Sequence, residues 1–210
     1  MSDTETIEKY HCYAEGRPYL IIKRCMDIII ASFGLILFSP LMLTIALGIH
    51  FFSPGPILYR QKRIGKNGQL FEMLKFRSMR LESTPDIHRE YVQKLIRDNN
   101  CPDDLGIGSL KLKSDPRITG LGKILRKYSL DELPQFINVI LGDMSVVGPR
   151  PSLPYEYEVY KDWHKQRLTV LPGITGLWQV TCHNTVCFDD MVRLDISYIR
   201  RINLWLDIKI

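Results

Sequence analysis

The polar and apolar positions of this chain divide it unevenly. Residues 1–20 are polar and mixed, opening on Asp3, Glu5 and Glu8 without the apolar core of a signal peptide, and read as a weakly structured lead-in. From Ile28 to Tyr59, by contrast, 32 successive residues include no Asp, Glu, Lys or Arg. A charge-free run of that length predicts a membrane segment. Ser39-Pro40 interrupts its most apolar part, and Pro54-Gly55-Pro56 ends it. Proline lacks an amide N–H and its ring clashes with the preceding turn, so a bend is expected there. The Ser39 hydroxyl can then satisfy a carbonyl that the bend frees, which matters because lipid offers no partner.

Two topologies suit this segment. Ile28–Phe38 and Leu41–Phe52 are 11 and 12 residues long, about 16–18 Å each as helices, and half a hydrocarbon core is roughly 15 Å. A re-entrant helix–break–helix over residues 21–56, dipping into one leaflet, therefore fits; so does a spanning helix with a proline kink. The flanks favour the first. Lys23 and Arg24 precede the run, and Arg60, Lys62 and Arg63 follow it. Basic residues favour the cytoplasmic side, and a single crossing would strand one cluster on the far side.

Beyond the membrane segment, residues 57–210 read as one cytosolic domain with interfacial amphipathic helices, giving an α+β, mainly helical fold class at the membrane face. Ile57–Lys62 and Gln69–Phe76 predict a β-hairpin around Gly65-Lys66-Asn67-Gly68, because Asn-Gly supplies the turn. Helices are expected within residues 81–100, over Gly120–Lys127, Leu130–Leu141, Tyr155–Arg167 and Phe188–Ile199. Asn99–Asp115 reads as a polar loop, Asp143–Pro154 as turn-rich, and Ile174–Thr181 as a strand after Pro172-Gly173. Ile202–Ile210 carries Trp205 among aliphatics and reads as an interfacial piece.

Charge sharpens this picture. The chain of 210 residues has a net charge of +5, yet Arg60 to Arg80 alone holds seven basic residues against Glu72. Such a block beside a membrane segment attracts anionic headgroups and phosphorylated substrates. A membrane-tethered nucleic-acid binder would share the block, but no nucleic-acid module accompanies it, and no nucleic-acid partner is expected. The five cysteines show neither zinc spacing nor disulfide-scaffold density, and read as reduced thiols.

The chemistry centres on Ser129-Leu130-Asp131-Glu132-Leu133-Pro134-Gln135. Ser129 and Glu132 have capping-box spacing, and Pro134 suits a first helical turn, which leaves the cap at 129, 130 or 131. Each choice puts Asp131 and Glu132 at the positive end of a helix dipole, where carboxylates stay ionised. An ionised carboxylate can attack phosphorus or hold Mg²⁺. Acidic pairs at helix starts ordinarily only cap. Here, however, Arg126 and Lys127 precede the pair, and Arg150 follows on the rigid turn Gly148-Pro149-Arg150-Pro151.

In order along the chain, the Ser39-Pro40 break, Lys75-Phe76-Arg77-Ser78-Met79, Asp115-Pro116-Arg117-Ile118-Thr119, the Ser129–Gln135 segment, Gly142-Asp143-Met144-Ser145, Gly148–Pro151 and Pro172-Gly173-Ile174-Thr175-Gly176 resemble the monotopic phosphoglycosyl transferases. These are the bacterial sugar transferases that initiate surface glycoconjugates. The resemblance implies transfer of a phosphosugar from a UDP-sugar to a polyprenyl phosphate such as undecaprenyl phosphate, with release of UMP. It implies Asp131 as nucleophile, Glu132 as its partner, Mg²⁺ held partly by Asp131, and Lys75, Arg126 and Arg150 around the phosphates. His183 and Asn184 would contact the donor, with Cys182-His183-Asn184 standing where many relatives carry a Gly-Arg-Asn-like triplet. The site would lie on the cytoplasmic face of the bacterial inner membrane, against its anionic surface and beside downstream glycosyltransferases. A catalytically silent membrane-surface scaffold is the alternative of another class.

Overall fold

The structure, a computed structural model, describes residues 17–79, 86–99, 117–182 and 186–210. Its first element is helix α1, Arg17–Phe52, with Pro40 inside it. The expected division into two helices is therefore not seen as a gap in helical structure, and the helix starts earlier than residue 21. The local chemistry at the proline is as expected. Pro40 cannot donate to the carbonyl one turn back, and the Ser39 hydroxyl donates to that same Ile36 oxygen at 2.8 Å. Along α1, Lys23, Asp27, Ala31, Gly34, Ile45 and Ile49 are buried. Steps of three and four residues put them on one face. The rest of the helix presents large apolar side chains outward, among them Ile29, Phe33, Ile36, Leu43 and Phe51. Only 17% of its apolar window is buried, whereas a core helix of a water-soluble domain would be mostly enclosed.

The hairpin forms as its turn sequence predicts. Strands β1 (Leu58–Ile64) and β2 (Leu70–Phe76) pair antiparallel around a 3₁₀ turn, Lys66–Gly68. Asn67 at φ 55 and Gly68 at φ 77 supply the left-handed backbone of that turn. Helix α2, Asp86–Asp98, and helix α3, Gly120–Lys127, follow; the Thr119 hydroxyl caps α3 by accepting from Gly122 N at 2.9 Å.

Five expectations are corrected after that. The helix expected over Leu130–Leu141 is split into a 3₁₀ turn, Leu130–Glu132, and helix α4, Gln135–Leu141. Ser129 sits at φ 55, off the path of a helix start, and its side chain makes no cap. The expected helix Tyr155–Arg167 is likewise two short pieces, α5 (Pro154–Tyr157) and the 3₁₀ turn Asp162–Leu168. The expected strand Ile174–Thr181 stops at Thr175: β4 (Gly173–Thr175) gives way to helix α6 (Leu177–Thr181). Its parallel partner β3, Ser145–Val147, arises inside the stretch read as turns. Helix α7 (Phe188–Arg200) forms where a helix was expected, and helix α8 (Leu204–Lys209) falls within the segment Ile202–Ile210. Cys25 and Cys182 are free thiols, but Cys187 is disulfide-bonded, against the expectation of reduced thiols throughout. That expectation rested on compartment and spacing, which carry no information about one particular pairing.

Three apolar clusters hold these elements. Ala31 of α1 packs with Met73, Val139 and Met144. Ile45 and Ile49, further along α1, pack with Phe76 and Leu125. Val92, Leu95 and Ile96 of α2 meet Tyr160, Phe188 and Val192. Gly34 lets α1 approach α4 closely, since a Cβ there would lie 3.0 Å from the Phe136 ring. Buried Asn138 joins α4 to the hairpin. Its Oδ1 accepts from Leu74 N at 2.9 Å, and its Nδ2 donates to Glu72 O at 2.8 Å.

Candidate active site

The 3₁₀ turn Leu130–Glu132 is the piece of chain that presents the acid pair. Asp131 is buried there, and Glu132 is half-buried. Because α4 begins only at Gln135, the pair precedes the helix instead of occupying its first turn. A side-chain cation also faces the pair. Lys75 of β2 reaches across to Glu132, with its Nζ 2.8 Å from Oε1. Burial pushes the Lys75 ammonium below the ordinary lysine range; Glu132 opposes that, while Arg63 and Arg150 reinforce it.

Arg63 is the site residue that the sequence reading passed over. The β1–β2 register sets Tyr59 opposite Lys75, Gln61 opposite Met73 and Arg63 opposite Phe71. Alternation then puts Arg63 and Lys75 on one face of the hairpin. That register was the available signal. Buried Arg63 donates through Nη1 to Pro151 O at 2.8 Å and through Nη2 to Gln61 Oε1 at 2.8 Å. It thereby ties the hairpin to the Gly148–Pro151 turn that carries Arg150. Burial, and next the charge of Arg150, pull Arg63 down to about 10, against the acids around it, Glu156 and Glu132 among them.

Arg150 is half-exposed, and Arg167 steadies its backbone by donating from Nη2 to Arg150 O at 3.3 Å. Arg167 in turn forms a buried ion pair with Asp195 at 2.5 Å and donates to the Tyr160 hydroxyl at 3.1 Å. Burial pushes Asp195 up to about 6, opposed by Arg167. The structure thus places Lys75, and Arg63 with it, within electrostatic reach of both Glu132 and Arg150, with Asp131 beside Glu132 in the turn. Arg126 is half-buried in the last turn of α3, which packs on the acid turn. Ser39 and Pro40 are exposed in α1. His183 and Asn184 lie outside the described residues.

Guanidinium and ammonium groups gathered near two carboxylates suit a phosphorylated substrate, whose charge the cations can offset. A family model described as bacterial sugar transferase matches residues 18–210. The chain belongs to that family.

Named relatives agree. The galactosyl transferase CpsE of Streptococcus agalactiae is 44% identical over 193 residues, covering 91% of this chain and 41% of the relative. The exopolysaccharide production protein ExoY of Rhizobium meliloti is 42% identical, covering 90% of this chain and 81% of the relative. The undecaprenyl-phosphate galactose phosphotransferase of Salmonella typhimurium is 42% identical over 92% of this chain and 40% of its own length. The chain therefore spans about two-fifths of some relatives and most of ExoY.

Within this family member, the donor set bears on a metal. Among the described residues, no group of three or more His, Cys, Asp or Glu side chains could hold an ion. A dedicated protein cage is therefore not seen. One carboxylate with substrate phosphates and water is, however, an ordinary set for Mg²⁺, and Asp131 fits that part.

Proposed function

We propose that this chain transfers a sugar 1-phosphate from a UDP-sugar to undecaprenyl phosphate, as the first membrane step of a bacterial surface polysaccharide. The observation carrying this reading is the buried Asp131 beside a Glu132 already paired to Lys75. In this reading the two neighbouring carboxylates take different roles. Asp131 attacks the phosphorus that bears the sugar; a new O–P bond forms, the anhydride P–O bond breaks, and UMP leaves with its electron pair. Arg150 and Lys75 face the charge that accumulates on the phosphoryl oxygens, and Arg63 holds the Arg150 turn in place. The lipid phosphate then attacks the same phosphorus and returns Asp131 as a free carboxylate. Glu132 positions that incoming phosphate or takes a proton from it. Asp131 would hold Mg²⁺ together with the substrate phosphates, and the ion would reduce repulsion between carboxylate and phosphate.

The lipid acceptor requires the site to sit at the bilayer surface, so α1 is read as entering and leaving on one face. What supports this is that one body grips both ends of the helix. Near its start, Arg24 donates to Val139 O and Ile140 O, and Lys23 pairs with Asp207 at 2.9 Å. Near its end, Arg77 donates to Ser53 O and Pro54 O. A straight 36-residue helix is about 54 Å long, longer than the roughly 30 Å hydrocarbon core. A spanning helix would carry one of these grips through the bilayer.

The test is release of UMP from UDP-galactose, UDP-glucose and N-acetylated UDP-sugars, with undecaprenyl phosphate and Mg²⁺. Release with at least one donor is expected, and Asp131→Asn lowers it on the order of a thousandfold or more. A folded protein that releases no UMP from any of them is a scaffold, not an enzyme.

A further inference from the structure

Outside the catalytic residues, a cleft of about 410 Å³ opens between the 3₁₀ turn Asp162–Leu168 and helix α7. Trp163 and Gln166 form one wall; Arg193, Ile196 and Arg200 form the other, and Arg201 closes the end. Neither Lys75, Arg150 nor the acid pair lines it, and no Asp or Glu is among its described lining residues. Three exposed guanidiniums thus converge on an opening with an aromatic and an aliphatic side chain in its walls.

Basic residues at the end of a helix ordinarily offset the negative end of its dipole, and Arg200 and Arg201 suit that role. Arg193 does not. It lies about two turns earlier and returns to the same face at a seven-residue spacing. Its pair with Asp190, at 2.8 Å, joins side chains that are 67% and 48% exposed, so it competes weakly with a bound anion.

The neighbouring chain says which anion. Helix α8 starts at Leu204, just after Arg201, and exposes Trp205 and Ile208. On its inner side, Asp207 accepts from Lys23 and Tyr19 of α1. The cleft therefore adjoins an amphipathic helix fastened to the start of the membrane segment, where an interfacial tryptophan and a basic rim meet lipid headgroups.

We propose that this cleft binds the phosphate of an anionic phospholipid, with Arg193, Arg200 and Arg201 on the phosphate oxygens and the lipid glycerol against Trp163 and Ile196. This rests on the membrane-surface reading of α1 and not on the phosphosugar chemistry. The test uses the full chain in an uncharged detergent, titrated with dioctanoyl phosphatidylglycerol, dioctanoyl phosphatidylcholine or inorganic phosphate, with bound molecules counted by native mass spectrometry. Saturable binding of phosphatidylglycerol is expected, with little of phosphatidylcholine. The double variant Arg200→Gln, Arg201→Gln weakens it about ten- to thirtyfold, and Ser197→Glu, which adds a negative charge to the cleft, does the same. Equal binding by wild type and both variants overturns the assignment, as does binding of inorganic phosphate as tight as that of the lipid. UMP release by the same preparation is scored separately, so failed lipid binding by an active enzyme overturns the cleft alone.

Discussion

Lys75 sets the charge balance of the acid pair, and its burial gives that role a pH signature. An ammonium lowered by desolvation loses its proton below the roughly 10.4 of an ordinary lysine. If protonated Lys75 organises Glu132, the rate of UMP release falls on the alkaline side below that value. Lys75→Arg, which stays protonated, removes this limb even if it lowers the maximum rate, whereas Lys75→Met lowers the rate across the whole range. Glu132→Gln is expected to cost less than Asp131→Asn, because it loses an ion pair and not the attacking atom. Comparing pH–rate profiles of the four proteins checks both statements. The gathering of Lys75, Glu132 and Arg150 was legible in the motifs they belong to. Arg63 was not: its meaning depends on the register that sets it on the same face as Lys75, and on a carbonyl of Pro151 far away in sequence.

Among the elements, those with a strong local signal were legible. Thr119 caps α3 at the expected start, and Asn67-Gly68 turns the hairpin. What could not be read are elements made by distant partners. Strands β3 and β4 are three residues each and gain their pairing only when residues 145 and 173 meet. Ser129 adopts a left-handed backbone that its residue type does not announce, so the capping-box spacing misled. The 3₁₀ turn Asp162–Leu168 carries its own pH dependence. His164 is fully buried, accepts at Nδ1 from Lys161 N at 3.2 Å, and faces Asp189 through Nε2 at 3.0 Å. Burial lowers its pKa, with Asp189 opposing. The unfolded chain then takes up this proton first as pH falls from about 6.5. Stability present above that pH is lost as the pH drops towards the folded-state value. Thermal unfolding between pH 8 and pH 5 should show this decline, and His164→Gln should flatten it. At the joint between α4 and the hairpin, Asn138→Leu is expected to cost about 2–4 kcal/mol by orphaning the Leu74 amide and the Glu72 carbonyl. Denaturant titration measures that.

At the scale of the whole molecule, the charge-free run made one long apolar helix legible, and its matched basic flanks argue for a same-side return. They could not show how the segment is held. That depends on Arg24, Lys23 and Arg77 finding partners far along the chain, in α4, α8 and the end of α1. Single cysteines at Pro18 and Lys66, flanking the segment in a protein whose other cysteines are replaced, should react with a membrane-impermeant reagent from the same face of oriented vesicles. Reaction from opposite faces would make α1 a spanning helix.

Incubating the purified protein with Mg²⁺ and a UDP-sugar, but no lipid, probes the proposed chemistry directly. One equivalent of UMP should appear per active site, with a matching phosphosugar mass on the peptide carrying Asp131. UMP appearing only once undecaprenyl phosphate is added, with Asp131 never modified, would mean that the sugar phosphate passes straight to lipid and that this carboxylate is no nucleophile.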